Sequence, residues 1–258
     1  MKKLMVVLLM ACMPVMASAA GSGNIHLDAF EADLDNKASL QRGMQTFVNY
    51  CMGCHSAKYQ RYERTAEAIG ISPELMQEHL ILSDQKVGEQ MTIAMSPEDA
   101  GKWFGNPPPD LSLETRLRGS DWVYTYLRSF YKDESRPYGV NNVVFKDVGM
   151  PNVLESLQGV QVAHCDRAQM EAHGIYGDEI DPLTNKPLNS CVSVESGTGS
   201  MSVEEFDRVI YDLVNFLTYV GDPNAQASKR IGTYVLIFLF FFFFLAYALK
   251  KEFWRDVH

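Results

Sequence analysis

The pattern C-x-x-C-H at residues 51–55 constrains this chain more than any other feature of its sequence. Two thiols at this spacing can add to the two vinyl groups of a haem, and the histidine that follows the second thiol is placed to bind the iron. A thioredoxin-like redox pair is the alternative, but it usually lies near a βαβ pattern, and none surrounds these residues. Cys51, Cys54 and His55 therefore predict one covalently attached haem c, with His55 as an iron ligand.

The amino terminus has the arrangement of a secretory signal peptide. Residues 1–19 begin with Lys2 and Lys3, continue into an apolar run and end in an Ala-Ser-Ala sequence at Ala19. A lipoprotein-type processing site at Cys12 is the alternative. Cleavage after Ala19 is the preferred interpretation, and it predicts an exported chain.

A second apolar run lies near the carboxyl terminus. Residues 231–249 carry no charge and include five consecutive phenylalanines, so the segment is apolar on every side and unlike a core helix. At about 1.5 Å per residue a helix over them spans about 28 Å, close to the roughly 30 Å hydrocarbon core of a bilayer. We predict a membrane anchor at 229–249 in a bacterial inner membrane. The periplasmic domain is then 20–228, and the basic tail 250–258 is cytoplasmic.

The charge balance excludes one class of partner. The chain has 23 basic and 32 acidic residues, and the part between leader and anchor has 16 basic and 30 acidic residues, a formal charge of −14. Nucleic-acid binding requires a basic surface. The acidic charge of this domain therefore argues against nucleic-acid binding. It favours a cationic partner, or it serves solubility alone.

Two amphipathic helices are predicted to frame the domain. Apolar residues recur at three- and four-residue intervals between residues 40 and 51, directly before the haem motif. Ser202 and Glu205 form a capping box before an apolar stripe over 206–220. Together they are similar to the crossing terminal helices of the cytochrome c fold. Shorter helices are predicted at 59–69, 73–82 and 121–131. The fold class is therefore mainly α, a cytochrome c-like haem domain with long loop insertions, plus one carboxy-terminal transmembrane helix.

A haem that only carries electrons gains from a second axial ligand, and a methionine thioether raises its potential relative to a second histidine. Eight methionines follow the signal segment. Met150 stands out because a tight Gly-Met-Pro stretch can bring its side chain to the iron. Met91 and Met95 are its rivals, and histidines at positions 26, 79, 164 and 173 are further alternatives.

Two further segments suit a porphyrin. Residues 106–112 read N-P-P-P-D-L-S, a rigid loop with few amide donors that can lie against the ring. Arg116 and Arg118 follow closely and could pair with the haem propionates, because a guanidinium matches carboxylate geometry. An exposed surface charge is the alternative for each arginine.

Cys165 and Cys191 remain in an oxidising compartment, and a disulfide between them is the simplest prediction. For a loop of this length it would stabilise the fold by about 3 kcal/mol on the chain-entropy model. Two separate buried thiols, or a metal site that includes His164 or His173, are the alternatives.

The ordered set of motifs resembles cytochrome c1, the haem subunit of the cytochrome bc1 complex, over nearly the whole mature chain. The set comprises C-x-x-C-H, P-P-D-L-S at 108–112, R-x-R-G at 116–119, G-M-P at 149–151 and the carboxy-terminal anchor. The resemblance implies that His55 and Met150 bind iron, that Pro108 and Pro109 line the haem pocket, and that Arg116 approaches a propionate. The chain is shorter than other members around residues 118–121, so the resemblance supports Arg116 more than Arg118.

This resemblance implies an electron-transfer subunit of quinol:cytochrome c reductase. It would accept one electron from a Rieske iron-sulfur protein and pass it to a soluble or tethered cytochrome c, beside cytochrome b and membrane lipid. No quinol pocket is evident in this chain. A monohaem subunit of a terminal oxidase, or a free-standing shuttle, is the alternative. A peroxidase or thiol oxidoreductase would need an open iron site or a reactive dithiol.

Overall fold

The computed structural model of the protein describes residues 25–175 and 190–255. The predicted signal peptide, and with it the Cys12 alternative, lies outside the described residues.

Helices and loops dominate the described chain. In chain order the helices are α1 (Lys37–Thr46), α2 (Tyr62–Ile69), α3 (Pro73–His79), α4 (Pro97–Phe104), α5 (Glu114–Arg118), α6 (Ser120–Arg128), α7 (Glu155–Gln158), α8 (Arg167–His173), α9 (Val203–Gly221) and α10 (Ala225–Phe253). The strands are β1 (Ala57–Arg61), β2 (Gln90–Met91), β3 (Phe130–Lys132), β4 (Val140–Asn142), β5 (Gln161–Ala163) and β6 (Val192–Val194). They pair in sequence order as antiparallel two-stranded ladders, β1 with β2, β3 with β4 and β5 with β6. The mainly α prediction is confirmed.

The two predicted framing helices, α1 and α9, cross at the centre of the core. Gly43 makes the close approach possible, because a Cβ atom there would lie 2.0 Å from the carbonyl oxygen of Asp212. The ring of Phe47 packs against that of Phe216 with centroids 5.8 Å apart. Arg42 closes the crossing with two hydrogen bonds to the Asp212 carboxylate, at 2.6 and 3.1 Å. The crossing fixes the chain direction at the point where it enters the haem motif.

Helix α9 begins as its sequence predicts. The Ser202 hydroxyl accepts from the amide of Glu205, and the Glu205 carboxylate accepts from the amide of Ser202. This capping box satisfies two amides that the first turn of a helix leaves without partners.

The chain between α1 and the haem motif widens into a π-helical turn over Phe47–Cys51. The amide of Met52 donates to the carbonyl of Phe47, and the amides of Cys54 and His55 both donate to that of Cys51. The extra residue in the π turn is followed by a compact turn, so Cys51, Cys54 and His55 lie together at the end of the helix.

Three of the shorter helices differ from prediction at their ends. Helix α2 starts at Tyr62 rather than residue 59, because the preceding residues pair with β2 as strand β1. Helix α6 ends at Arg128, because the next residues form β3 and pair with β4. Helix α3 ends at His79, earlier than predicted. In α2 and α6, pairing with a distant strand overrides the local helical pattern.

Helix α10 extends the predicted anchor at both ends. Its 29 residues carry an 18-residue window of mean hydropathy 2.3, and none of that window is buried. It is the one helix of the described chain that is long and apolar enough to cross a membrane. Because α10 buries nothing against the domain, the core-helix alternative is wrong.

Candidate functional site

A cavity of about 370 Å³ opens beside the end of the haem motif, and its walls are mostly apolar. Segments that are distant in sequence form it: the motif, the proline loop with the end of α4, the helices α5, α6 and α9, and the loop that contains Met150. The lining residues include Tyr50, Cys51, Cys54, His55, Phe104, Pro107, Pro108, Pro109, Leu111, Arg118, Trp122, Tyr126, Phe145, Val148, Met150 and Leu217. The structure thus brings most of the predicted site residues to one cavity.

The two motif cysteines are free thiols that share this cavity. Cys51 is buried, and burial raises the pKa of its thiol to about 12, with a smaller contribution from Cys54. A thiol with so high a pKa holds its proton at neutral pH and is a poor redox nucleophile. Cys51 is therefore poorly suited to be the attacking thiol of a dithiol oxidoreductase.

His55 is oriented by the proline loop. Its Nδ1 lies 2.7 Å from the carbonyl oxygen of Pro109. A carbonyl can only accept, so Nδ1 carries the proton and Nε2 keeps its lone pair free for a metal. Burial lowers the pKa of His55, against the opposing effect of the hydrogen bond to Pro109. The neutral imidazole that results is the form that binds iron.

The proline loop is fixed to the chain just after the motif. The amide of Lys58 donates to Asp110 across 3.0 Å, and the amide of Leu111 donates to the carbonyl of Ser56 across 2.8 Å. Asp110 also accepts from the amide of Ser112, which starts the 3-10 turn Leu111–Leu113. Asp110 therefore caps this turn and also binds the loop to the chain after the motif. Both contacts keep the prolines against the cavity.

Met150 reaches the cavity on a loop that side-chain amides hold in place. The Oδ1 of Asn142 accepts from the amides of Val144 and Phe145, at 2.9 and 3.1 Å. The Oδ1 of Asn141 accepts from the amide of Asp147, which has a positive φ of 58°. These bonds form the sharp turn that precedes Met150.

The other candidate ligands lie elsewhere. Met91 is fully buried in the core, and Met95 lies beyond the cavity lining. The predicted histidine alternatives at positions 26, 79, 164 and 173 lie outside the lining as well. Among the methionines proposed from sequence, the structure brings only Met150 into the cavity.

Arg116 and Arg118 separate to different sides of the short helix α5. Arg118 lines the cavity, pairs with Glu114 and lies over the ring of Trp122 at 4.4 Å. Arg116 pairs instead with Asp222 at 3.3 Å, and its side chain is 61% exposed. Two residues on a helix differ by about 200° in direction, so only one of them can face the cavity. This placement differs from the prediction for Arg116.

Comparisons with known proteins identify the family of this chain. The family model described as Cytochrome C1 family matches residues 31–257. The chain belongs to the cytochrome c1 family. It is 46% identical to cytochrome c1 of Allochromatium vinosum over the full length of both chains. It is 41% identical to a Nitrosomonas europaea protein named ammonia monooxygenase gamma subunit, over all of this chain and 98% of that one. It is 24% identical to a cytochrome c1 of Rhodobacter capsulatus, over 98% and 97% of the two chains.

Membership of the cytochrome c1 family shows which cofactor the chain binds and to which complex it belongs. Cytochrome c1 proteins bind one covalently attached haem c and are membrane-anchored, electron-transfer subunits of the cytochrome bc1 complex, together with cytochrome b and a Rieske protein. The resemblance and the cofactor predicted from sequence are both confirmed. The terminal-oxidase subunit and the free-standing shuttle are set aside.

The residues of the cavity fit a haem c of the cytochrome c1 type. Two free thiols can form thioethers, a neutral imidazole offers Nε2, and a thioether sulfur is available from Met150. The remaining walls are proline, aromatic and aliphatic side chains, which suit a largely apolar macrocycle.

The sequence alone did not point to several residues that line or support the cavity. Trp122, Tyr126 and Phe145 line the cavity, and Asn141 and Asn142 hold the loop that carries Met150. Trp122 and Tyr126 are four residues apart on α6, an aromatic spacing that was visible in the sequence. Asn141 and Asn142 gave no such signal, because their role depends on strand β4 lying beside this loop.

The pair Cys165 and Cys191 forms a disulfide, so that prediction is confirmed. It joins the chain after β5 to the start of β6, and neither cysteine lines the cavity. His164 contacts Ser193 at 2.6 Å, across the same ladder. Because Cys165 is bonded to Cys191, its sulfur is not available to a metal, and the metal-site alternative is wrong.

Proposed function

We propose that this chain accepts one electron from the Rieske iron-sulfur protein and passes it to a soluble or tethered cytochrome c. The observation that carries the proposal is the convergence of Cys51, Cys54, His55 and Met150 on one apolar cavity. When bound there, a haem supplies reversible one-electron chemistry, and two protein ligands leave no open position for substrate.

We assign the roles within the cavity as follows. Cys51 and Cys54 would hold the haem through thioethers, and His55 and Met150 would bind its iron. Pro109 orients His55 through its carbonyl, and Pro108 and Pro109 wall the pocket. These two prolines present no backbone N–H, so they shield the ring without leaving an amide unsatisfied.

Two arginines compete for the propionates. Arg118 lines the cavity, which supports it as the nearer cation. Arg116 is the arginine that the family resemblance indicates, and it would have to exchange its exposed pair with Asp222 for a propionate. An exposed pair of this kind is worth about 0–1 kcal/mol, so the exchange costs little.

The topology supports delivery of electrons at a membrane surface. We propose that 1–19 is a cleaved signal, that 20–228 is a periplasmic domain, and that 229–249 lies in membrane lipid with the tail 250–258 in the cytoplasm. Only three residues separate the end of α9 from the start of α10. So short a connection keeps the domain close to the bilayer. The −14 charge of the domain would favour a basic cytochrome c as acceptor.

The purified membrane complex provides the test. Added quinol should reduce the haem of this chain when the Rieske subunit is present, and the reduced haem should then reduce added cytochrome c. A complex depleted of the Rieske subunit is the control, and its haem should stay oxidised. Full-rate reduction in that control would contradict the proposed electron path.

Covalent attachment is tested separately on the same material. The haem should stay with the polypeptide through denaturation and acid-acetone extraction. Free extraction of the haem from the mature protein would contradict the roles of Cys51 and Cys54.

A further inference from the structure

Met150 has a hydrogen-bond donor within the cavity wall. The hydroxyl of Tyr126, on helix α6, donates to the Sδ of Met150 across 3.4 Å. Thioether sulfur is a weak acceptor, so a half-buried hydroxyl aimed at it is a specific arrangement. Among the described residues, Tyr126 is the one hydrogen-bond donor to this sulfur.

Neighbouring rings fix the direction of the Tyr126 hydroxyl. Trp122 stacks on the phenol ring with centroids 4.9 Å apart and planes 10° apart. Phe130, which is almost fully buried, meets the ring edge-on at 5.1 Å. Arg118 covers the ring of Trp122 at 4.4 Å. Because these neighbours hold its ring, the phenol presents its hydroxyl to Met150 in a preset position.

A thioether sulfur has two lone pairs, so one can accept from a hydroxyl while the other binds iron. A hydrogen bond withdraws electron density from the sulfur, which then donates less to oxidised iron than a free thioether would. Hydrogen bonds to ligands tune metal sites in this way. Weaker donation destabilises the oxidised state relative to the reduced state, and this raises the reduction potential.

We infer that Tyr126 is a positioning residue that orients the Met150 thioether and raises the potential of the haem. The inference rests on the proposed role of Met150 as an axial ligand. It deepens that role, because it names the group that tunes the ligand. Tyr126 acts through Met150 and is not itself proposed as an iron ligand.

The test is Tyr126→Phe in the full chain within the purified complex. The ring and its stacking remain, and only the hydroxyl is lost. We expect the haem equilibrium to shift about three- to tenfold toward the oxidised state, a fall in potential of about 28 to 59 mV for one electron. The sulfur-to-iron charge-transfer band at the red end of the oxidised spectrum should shift, and covalent haem content should not change. Tyr124→Phe, a hydroxyl deletion on the same helix at a ring that packs against Phe30, should leave potential and band unaltered.

A double-mutant cycle with Met150→Leu separates this inference from the ligand assignment. If Tyr126 acts through the sulfur, adding Tyr126→Phe to Met150→Leu should produce no further fall in potential. Two results would overturn the inference alone: an unshifted potential in Tyr126→Phe while Met150→Leu loses the band, or an equal shift of Tyr126→Phe in both backgrounds. If Met150→Leu keeps the band and the potential, the ligand assignment fails and this inference fails with it.

Discussion

The two sides of the haem cavity are built differently. The His55 side is a contiguous motif, closed by backbone hydrogen bonds within residues 47–55 and braced by the carbonyl of Pro109. The Met150 side is a loop held by side-chain amides of Asn141 and Asn142, with a tyrosine hydroxyl on the sulfur. One side is fixed by chain geometry, and the other by side chains that come from distant positions. We therefore expect the His55 side to govern assembly and the Met150 side to govern tuning.

The largest expected effect is on the His55 side. His55→Ala removes the iron ligand that we propose within the motif, so normal low-spin haem and assembly of the complex should be lost. Reduced-minus-oxidised absorption spectra of membranes would measure the low-spin haem, and immunodetection of the chain in the isolated complex would measure assembly. Wild-type levels of low-spin haem in His55→Ala would contradict the division between the two sides.

The second effect is on the Met150 side and is confined to the properties of the iron. Met150→Leu keeps the bulk but removes the sulfur, so the haem should stay covalently attached while its potential falls and carbon monoxide gains access to reduced iron. Redox titration and carbon monoxide difference spectra would measure this. Met91→Leu and Met95→Leu are matched controls, because neither residue lines the cavity. If one of these controls lost the sulfur-to-iron charge-transfer band while Met150→Leu kept it, the ligand would be that methionine instead of Met150.

The same contrast explains what the sequence could predict. Cys51, Cys54, His55 and the proline loop are local patterns whose chemistry depends on spacing alone, and the capping box of α9 is equally local. The start of α2 depends instead on pairing between β1 and β2, which lie about thirty residues apart in the chain. Such pairing gives no signal in a helical periodicity, so the predicted start at residue 59 was wrong.

The contacts on the Met150 side of the cavity depend even more on tertiary structure, so the sequence could predict fewer of them. Tyr126 and Met150 lie 24 residues apart in sequence, and nothing in their spacing predicts contact. By residue type, Arg116 and Arg118 were equally suited to pair with a propionate. Only the packing of α5 against α9 shows which of the two faces the cavity. The Gly-Met-Pro stretch and the family resemblance both indicated Met150, but neither gave an account of the loop that holds it.

A third prediction tests that loop. Asn142 is fully buried, and Asn142→Ala leaves the amides of Val144 and Phe145 without their acceptor. The buried amide of Val144 loses its acceptor, and the carbonyl of Tyr126 loses the hydrogen bond that the Asn142 side chain donates to it. An unsatisfied buried group costs about 1–3 kcal/mol, so the free energy of unfolding should fall by about 3 kcal/mol. Denaturant unfolding of the haem-loaded protein would measure the change.

The Asn142→Ala variant has a control in the same region. Asn152 is half-buried, and its side chain accepts from one amide, that of Leu154 at 3.2 Å. Asn152→Ala should therefore cost about 1 kcal/mol. Equal losses in the two variants would mean that Asn142 has no special part in holding the Met150 loop.

The smallest effect should come from the arginines at the margin between the two sides. A cation near the haem opposes a further positive charge on iron, so removing it should lower the potential. Arg118 lines the cavity, whereas Arg116 is exposed and paired with Asp222, where solvent screens its charge. Arg118→Gln should thus lower the potential by up to about 59 mV, a tenfold change in a one-electron equilibrium. Arg116→Gln should change the potential much less. Redox titration of matched membrane preparations would measure both changes. A larger fall in Arg116→Gln would mean that Arg116 leaves Asp222 once haem is attached, and the family-based assignment would then describe the loaded protein better than the geometry of the cavity does.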